Sequence, residues 1–94
     1  MDLIIATADI NREIMQGMLS ALGERLKQSP GFISHANGPR QGGGWQVVEL
    51  WESKEDFERW YEASVRPNLP PGVEVEIEHY EIETLLTTVA TASR

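Results

Sequence analysis

Apolar positions in this chain alternate between two periods, and each switch marks the boundary of an element. Asp2 to Ala8 is short and β-rich at Leu3, Ile4 and Ile5, which predicts a first strand. Asp9 or Asn11 then offers an N-cap oxygen to a helix running to about Gln28. Its apolar residues Ile14, Met15, Met18, Leu19, Leu22 and Leu26 are spaced by threes and fours and form one stripe. Pro30-Gly31 stops that helix, and Phe32 to Asn37 predicts a second strand. The run from Gly38 to Gly44 is a hairpin connection into a strand over Trp45 to Glu52. Ser53, with Asp56 three residues on, caps a second helix whose stripe is Phe57, Trp60, Tyr61, Ser64 and Val65. Pro67, Pro70 and Pro71 end it. Val73 to Tyr80 alternates strictly, with Val73, Val75 and Ile77 against Glu74, Glu76 and Glu78. The phase slips near His79-Tyr80 before Ile82, Leu85 and Leu86, which suggests a bulge or a short fifth strand.

The order βαββαβ predicts an α+β fold of the ferredoxin-like kind: a four-stranded antiparallel sheet with both helices on one face. Residues 1–86 form the single domain and 87–94, which lack a core pattern, a flexible C-terminal tail. Two strands are apolar on both sides: Trp45, Val47 and Trp51 oppose Val48 and Leu50, and Leu3 and Ile5 oppose Ile4. Helices cover one face only, so the other needs a second cover. A second copy of the chain, related by a two-fold axis, is the most economical one, and a homodimer is expected.

Composition narrows the function. The 94 residues carry a net charge of −7, and the acids concentrate in the second half, where residues 49–83 hold a net −8. Such a surface does not release counterions from a phosphate backbone, which argues against nucleic acid as a partner. With no cysteine, thiolate catalysis, disulfides and cysteine-based metal sites are excluded. Apolar runs fall short of the roughly 18–20 residues of a membrane span, and no leader pattern follows Met1-Asp2, so a cytoplasmic protein with no membrane partner is expected. Gly42-Gly43-Gly44 leads into a strand and makes no phosphate cradle, and no acidic or histidine cluster has metal-ligand spacing.

The stretch from Val47 to Trp60, an aliphatic strand ending in Trp51-Glu52-Ser53 followed by the acidic Glu55-Asp56 and the aromatics Phe57 and Trp60, resembles the antibiotic biosynthesis monooxygenase-like family. Pro30-Gly31-Phe32 and Tyr80-Glu81-Ile82 sit where that family places similar residues, and the resemblance spans roughly residues 3–86. It implies a dimeric α+β barrel with a substrate pocket between sheet and helices. Family activities include cofactor-free oxidation of anthrones to quinones, haem degradation, and, in related proteins, cyclisation or isomerisation of polyketides. Haem degraders of this kind use an asparagine on the first strand and a histidine near the end of the second helix. Here those places hold Thr7 and Val65-Arg66-Pro67-Asn68, so the axial ligand is missing.

Cofactor-free oxygenation asks for a base, a donor to the enolate oxygen, and a dry aromatic-lined pocket. Candidate bases are Glu49, His35 and His79; histidine titrates near neutrality, and Glu49 shares the face of Trp51. His35 is expected to share its strand face with Ile33 and Asn37. Trp51, Trp60 and Tyr61 are candidate walls, Asn37 a further substrate contact, and Arg66 a partner for an anionic substrate group. The expected function is oxygenation of an aromatic or polyketide-type small molecule by O₂ with no bound cofactor or metal. A cyclase or isomerase on the same scaffold, and a non-catalytic binding module, are the alternatives.

Overall fold

A computed structural model describes residues 1–88. The tail expected over 87–94 therefore lies outside the described residues except for Thr87 and Thr88, which are irregular. The elements are β1 (Asp2–Ala8), α1 (Arg12–Lys27), β2 (Phe32–Pro39), β3 (Trp45–Trp51), α2 (Lys54–Trp60) and β4 (Val75–Glu81). The strands form one antiparallel sheet in the order β2-β3-β1-β4, the ferredoxin-like arrangement.

Local chemistry explains the boundaries. Asn11, not Asp9, caps α1: its Oδ1 accepts the Ile14 N–H at 2.9 Å. Ser53 Oγ accepts the Asp56 N–H at 3.1 Å and starts α2. The chain reaches β2 through Gly31, at φ 85°, where a Cβ would collide with the Asp56 carboxylate. Gly31 also lends its carbonyl to the Glu52 N–H at 2.7 Å, tying the starts of β2 and α2 together. β2 runs two residues beyond expectation, to Pro39, which an edge strand tolerates because its outer backbone groups need no partner.

The second helix does not run evenly to Val65. After Trp60 it widens into a π-helical turn over Tyr61–Val65, closed by the Arg66 N–H on Tyr61 O, and then tightens to a 3₁₀ turn at Arg66–Asn68. Pro67 has no N–H to continue an α-helical ladder, and the two irregular turns absorb that break.

The phase slip near His79 is not a bulge. β4 pairs with β1 in unbroken register from Val75 opposite Ala8 to Glu81 opposite Asp2. Its apolar residues change face instead: Val75 and Ile77 point to the helices, whereas Tyr80 joins Leu3 on the other side. The irregularity lies in β2, between Phe32 and Ser34. It places Phe32, not Ile33, on the face of His35 and leaves Ile33 without a ladder partner and 41% exposed.

Alternation and register give the sheet two unlike faces. The inner face packs Ile4 and Trp51 against Leu22 and Leu26 of α1 and Phe57, Trp60 and Tyr61 of the second helical segment. Trp51 is fully buried, edge-on to Phe32 and Phe57 at centroid distances of 5.5 and 6.0 Å. The outer face carries Leu3, Ile5, Val48 and Leu50, all half-buried, with Tyr80 49% exposed beside them.

Candidate functional site

Between the inner face and the helices lies an apolar cavity of about 100 Å³. It exists because β1 turns small along one face: Ile4 fills the core, but Ala6 and Ala8 leave space beneath the helices. Met15, Met18 and Leu19 of α1 line one side, and Phe57, Trp60, Tyr61 and Val65 another. The π-helical turn brings both Tyr61 and Val65 to the wall. From β2 and β3, His35 and Glu49 enter an otherwise largely apolar lining.

These two residues belong to a chain of hydrogen bonds. The register sets His35 directly opposite Glu49, and His35 Nδ1 lies 2.7 Å from Glu49 Oε2. Two residues along β3 on the same face, Trp51 Nε1–H donates to Glu49 Oε1 at 2.8 Å. Asn37 Nδ2 lies 2.8 Å from His35 Nε2, and Trp45 Nε1–H donates to Asn37 Oδ1 at 2.9 Å. The order is Trp51–Glu49–His35–Asn37–Trp45, and among the described residues no buried side-chain polar atom lacks a partner. Glu49 is only 5% exposed, and a carboxylate buried so deeply is tolerated because both its oxygens receive hydrogen bonds.

The other candidates separate. Trp60 and Tyr61 line the cavity. Burial pushes the Tyr61 phenol above its ordinary value of 10.0, against the opposing pull of Arg66, so its hydroxyl remains a donor at neutral pH. Trp51 is not a wall: it sits behind Glu49 in the solid core and holds that carboxylate. Asn37 is not among the lining residues and instead bonds to His35 Nε2. Arg66 is exposed, with two hydrogen bonds to Glu62 at 2.8 and 2.9 Å and its guanidinium 5.2 Å from the Tyr61 ring centroid, outside the cavity. His79 lies on the inner face opposite Ile4, but its Nε2 is 2.6 Å from Asp2 Oδ1 at the far end of the edge strand, away from the lining.

Two features escape a reading of residue types alone. Trp45 shares the face of Trp51, which period-2 spacing reveals, but its bond to Asn37 depends on the pairing of β2 with β3. The cavity floor was signalled by the fall from Ile4 to Ala6 and Ala8.

No protein-family model matches the chain, and no curated protein matches it in sequence. Solved structures do match. A variant of MhuD, the haem-degrader of Mycobacterium tuberculosis, with two manganese protoporphyrin IX bound per active site, superposes with a TM-score of 0.70 at 18% identity, over 94% of this chain and 100% of that one. A Deinococcus radiodurans protein described as an antibiotic biosynthesis monooxygenase gives 0.69 at 13% identity, over 96% and 100%. The chain has the antibiotic biosynthesis monooxygenase fold. SnoaB, a cofactor-independent oxygenase of Streptomyces nogalater, shares it with a TM-score of 0.58 at 11% identity, over 93% and 95%.

Within this monooxygenase fold, the residues present do not suit haem. The segment closing the second helix, Arg66, Pro67 and Asn68, holds no side chain that ligates haem iron. His79 does not line the cavity, and His35 stands in the β2–β3 hydrogen-bonded chain with Glu49 rather than on the second helical segment. Among the described residues no group of three or more His, Asp or Glu side chains is placed to hold a metal ion, and no helix is long and apolar enough to cross a membrane.

Proposed function

We propose that the protein is a monooxygenase-like enzyme that acts on an aromatic, anthrone-type small molecule without a bound cofactor, with His35 as the base. The observation that carries this reading is the His35–Glu49 pair, 2.7 Å apart, set into the apolar cavity. Glu49 already accepts two hydrogen bonds and is suited to orient the imidazole and stabilise it once protonated. His35 takes the substrate proton, and Tyr61 donates its hydroxyl to the oxygen on which the enolate charge develops.

The substrate is its own reductant. Its CH₂ carbon loses one proton to His35, and the resulting carbanion reduces O₂ and forms a C–O bond. Loss of the second hydrogen and cleavage of the O–O bond leave a carbonyl and one water. One anthrone and one O₂ thus give one quinone and one H₂O. The cavity is smaller than the roughly 150 Å³ void that admits benzene, so a fused-ring substrate enters by displacing side chains. Met15 and Met18, unbranched and adaptable, form the wall able to yield.

Purified protein with anthrone under air, without added flavin or metal, should consume O₂ and form quinone one to one and faster than buffer. A rate equal to that of buffer overturns the oxygenase reading.

We infer also that a second copy covers the outer face. Leu3, Ile5, Val48 and Leu50 form an apolar surface there with neither helix over it, and Ile33 and Tyr80 stand exposed on the same sheet. A native mass of about 21 kDa, twice 10.6 kDa, is expected. A stable monomer at micromolar concentration contradicts it.

A further inference from the structure

We propose that the two indoles at the ends of the hydrogen-bonded chain preset His35 as a proton acceptor, and that Asn37 is a displaceable cap on it. An indole N–H can only donate. At one end Trp45 donates to Asn37, so the amide must present its oxygen to Trp45 and its NH₂ to His35. His35 Nε2 is therefore an acceptor without a proton, and the hydrogen of the neutral ring sits on Nδ1. That Nδ1–H points at Glu49 Oε2, while Trp51 supplies the donor to Oε1. The two ends agree: one places an oxygen acceptor beside Nδ1, the other places a donor beside Nε2. A flipped amide would set its NH₂ against the Trp45 N–H, and an Nε2–H tautomer would confront both Asn37 and Glu49 with the wrong partner.

The group held ready is thus the Nε2 lone pair. Asn37 is exposed and does not line the cavity, whereas His35 does. A ligand entering the cavity replaces the amide by donating its own hydrogen bond to Nε2. The ligand class follows from the hydrogen bonds: an Nε2 acceptor in line with a carboxylate takes a donor such as a neutral aromatic alcohol and disfavours an anion. Trp45 is a positioning residue that acts through Asn37. The tautomer stands on the hydrogen bonds alone; the ligand class rests on reading the cavity as the substrate site.

The test is ¹⁵N NMR of the histidine rings at neutral pH, with His79→Gln used to assign His35. Wild-type protein should show a pyrrole-like Nδ1 and a pyridine-like Nε2. In Trp45→Phe the amide is free to turn its oxygen to Nε2 while Glu49 still faces the Nδ1 hydrogen, and the Nε2 resonance should move toward the pyrrole-like position with Nδ1 unchanged. In Asn37→Asp, at an exposed position that keeps the fold, the carboxylate can only accept, and Nε2 should gain a proton. A wild-type Nε2–H form, or an Nε2 resonance in Trp45→Phe unchanged from wild type, overturns the role assigned to the indoles. Phenol should shift the Nε2 resonance and bind about fivefold more tightly than anisole, which lacks the donor. Equal binding overturns the ligand class and leaves the oxygen-uptake test untouched. Conversely, absent oxygen uptake with the expected tautomer sinks the oxygenase reading alone.

Discussion

Replacing Trp51 with alanine should destabilise the protein by at least about 3–5 kcal/mol, the loss typical of deleting a large aromatic from a packed core. A chain of 94 residues is stabilised by only about 5–14 kcal/mol in total, so this one change removes much of the margin. Two effects combine. Trp51 is fully buried, and its ring carries the edge-on contacts of Phe32 and Phe57, which would both border the void. Its N–H is also one of two donors to Glu49, and removing it leaves a buried carboxylate oxygen unpaired, at about 1–3 kcal/mol more. Trp51→Phe separates the two, because it keeps most of the ring and deletes the donor. Urea unfolding should place that variant between wild type and Trp51→Ala with an unchanged slope. A loss below about 2 kcal/mol for Trp51→Ala would mean that the core closes over the gap and that this residue does not organise it.

The architecture was legible because it is written in periods. The stripe from Ile14 to Leu26 and the alternation through β3 each point to one element and one buried face, and both the element order and the two-faced sheet follow. What failed was counting along a single strand. The extra residue at Ile33 reverses the face of Phe32, which precedes it in β2, and nothing in Phe32-Ile33-Ser34 announces it. In β4 the opposite error arises: an apolar residue changing sides looks like a slip when the register is intact, because the sheet has apolar surface on both sides for it to join. The site was legible in residue types and partly in place. Glu49 beside Trp51 follows from period-2 spacing, whereas Glu49 beside His35 needs the β2–β3 register, a contact across a hairpin. His79 shows the limit of residue type as a guide: it has the same chemistry as His35 and the same sheet face, but Asp2 and the edge of the sheet take it from the cavity.

Anthrone turnover should fall by about 10²–10⁴-fold in His35→Gln, the range lost when a positioned general base is removed. Glu49→Gln should fall comparably even though Glu49 takes no proton from the substrate. The new amide would meet two donors with only one acceptor atom. If its oxygen keeps the Trp51 N–H, its NH₂ faces His35 Nδ1 and forces the ring hydrogen to Nε2. The lone pair that should receive the substrate proton is then gone, although every heavy atom stays near its place. Because both changes disable one unit, the double variant should be little worse than either alone, and a product of the two losses would show that the residues act separately. Tyr61→Phe offers the contrast. It keeps the wall and removes the donor assigned to the enolate oxygen, a role separate from that of the base, so its loss should multiply with that of His35→Gln. Full activity in Glu49→Gln would remove the orienting carboxylate from the mechanism and leave His35 to act unaided.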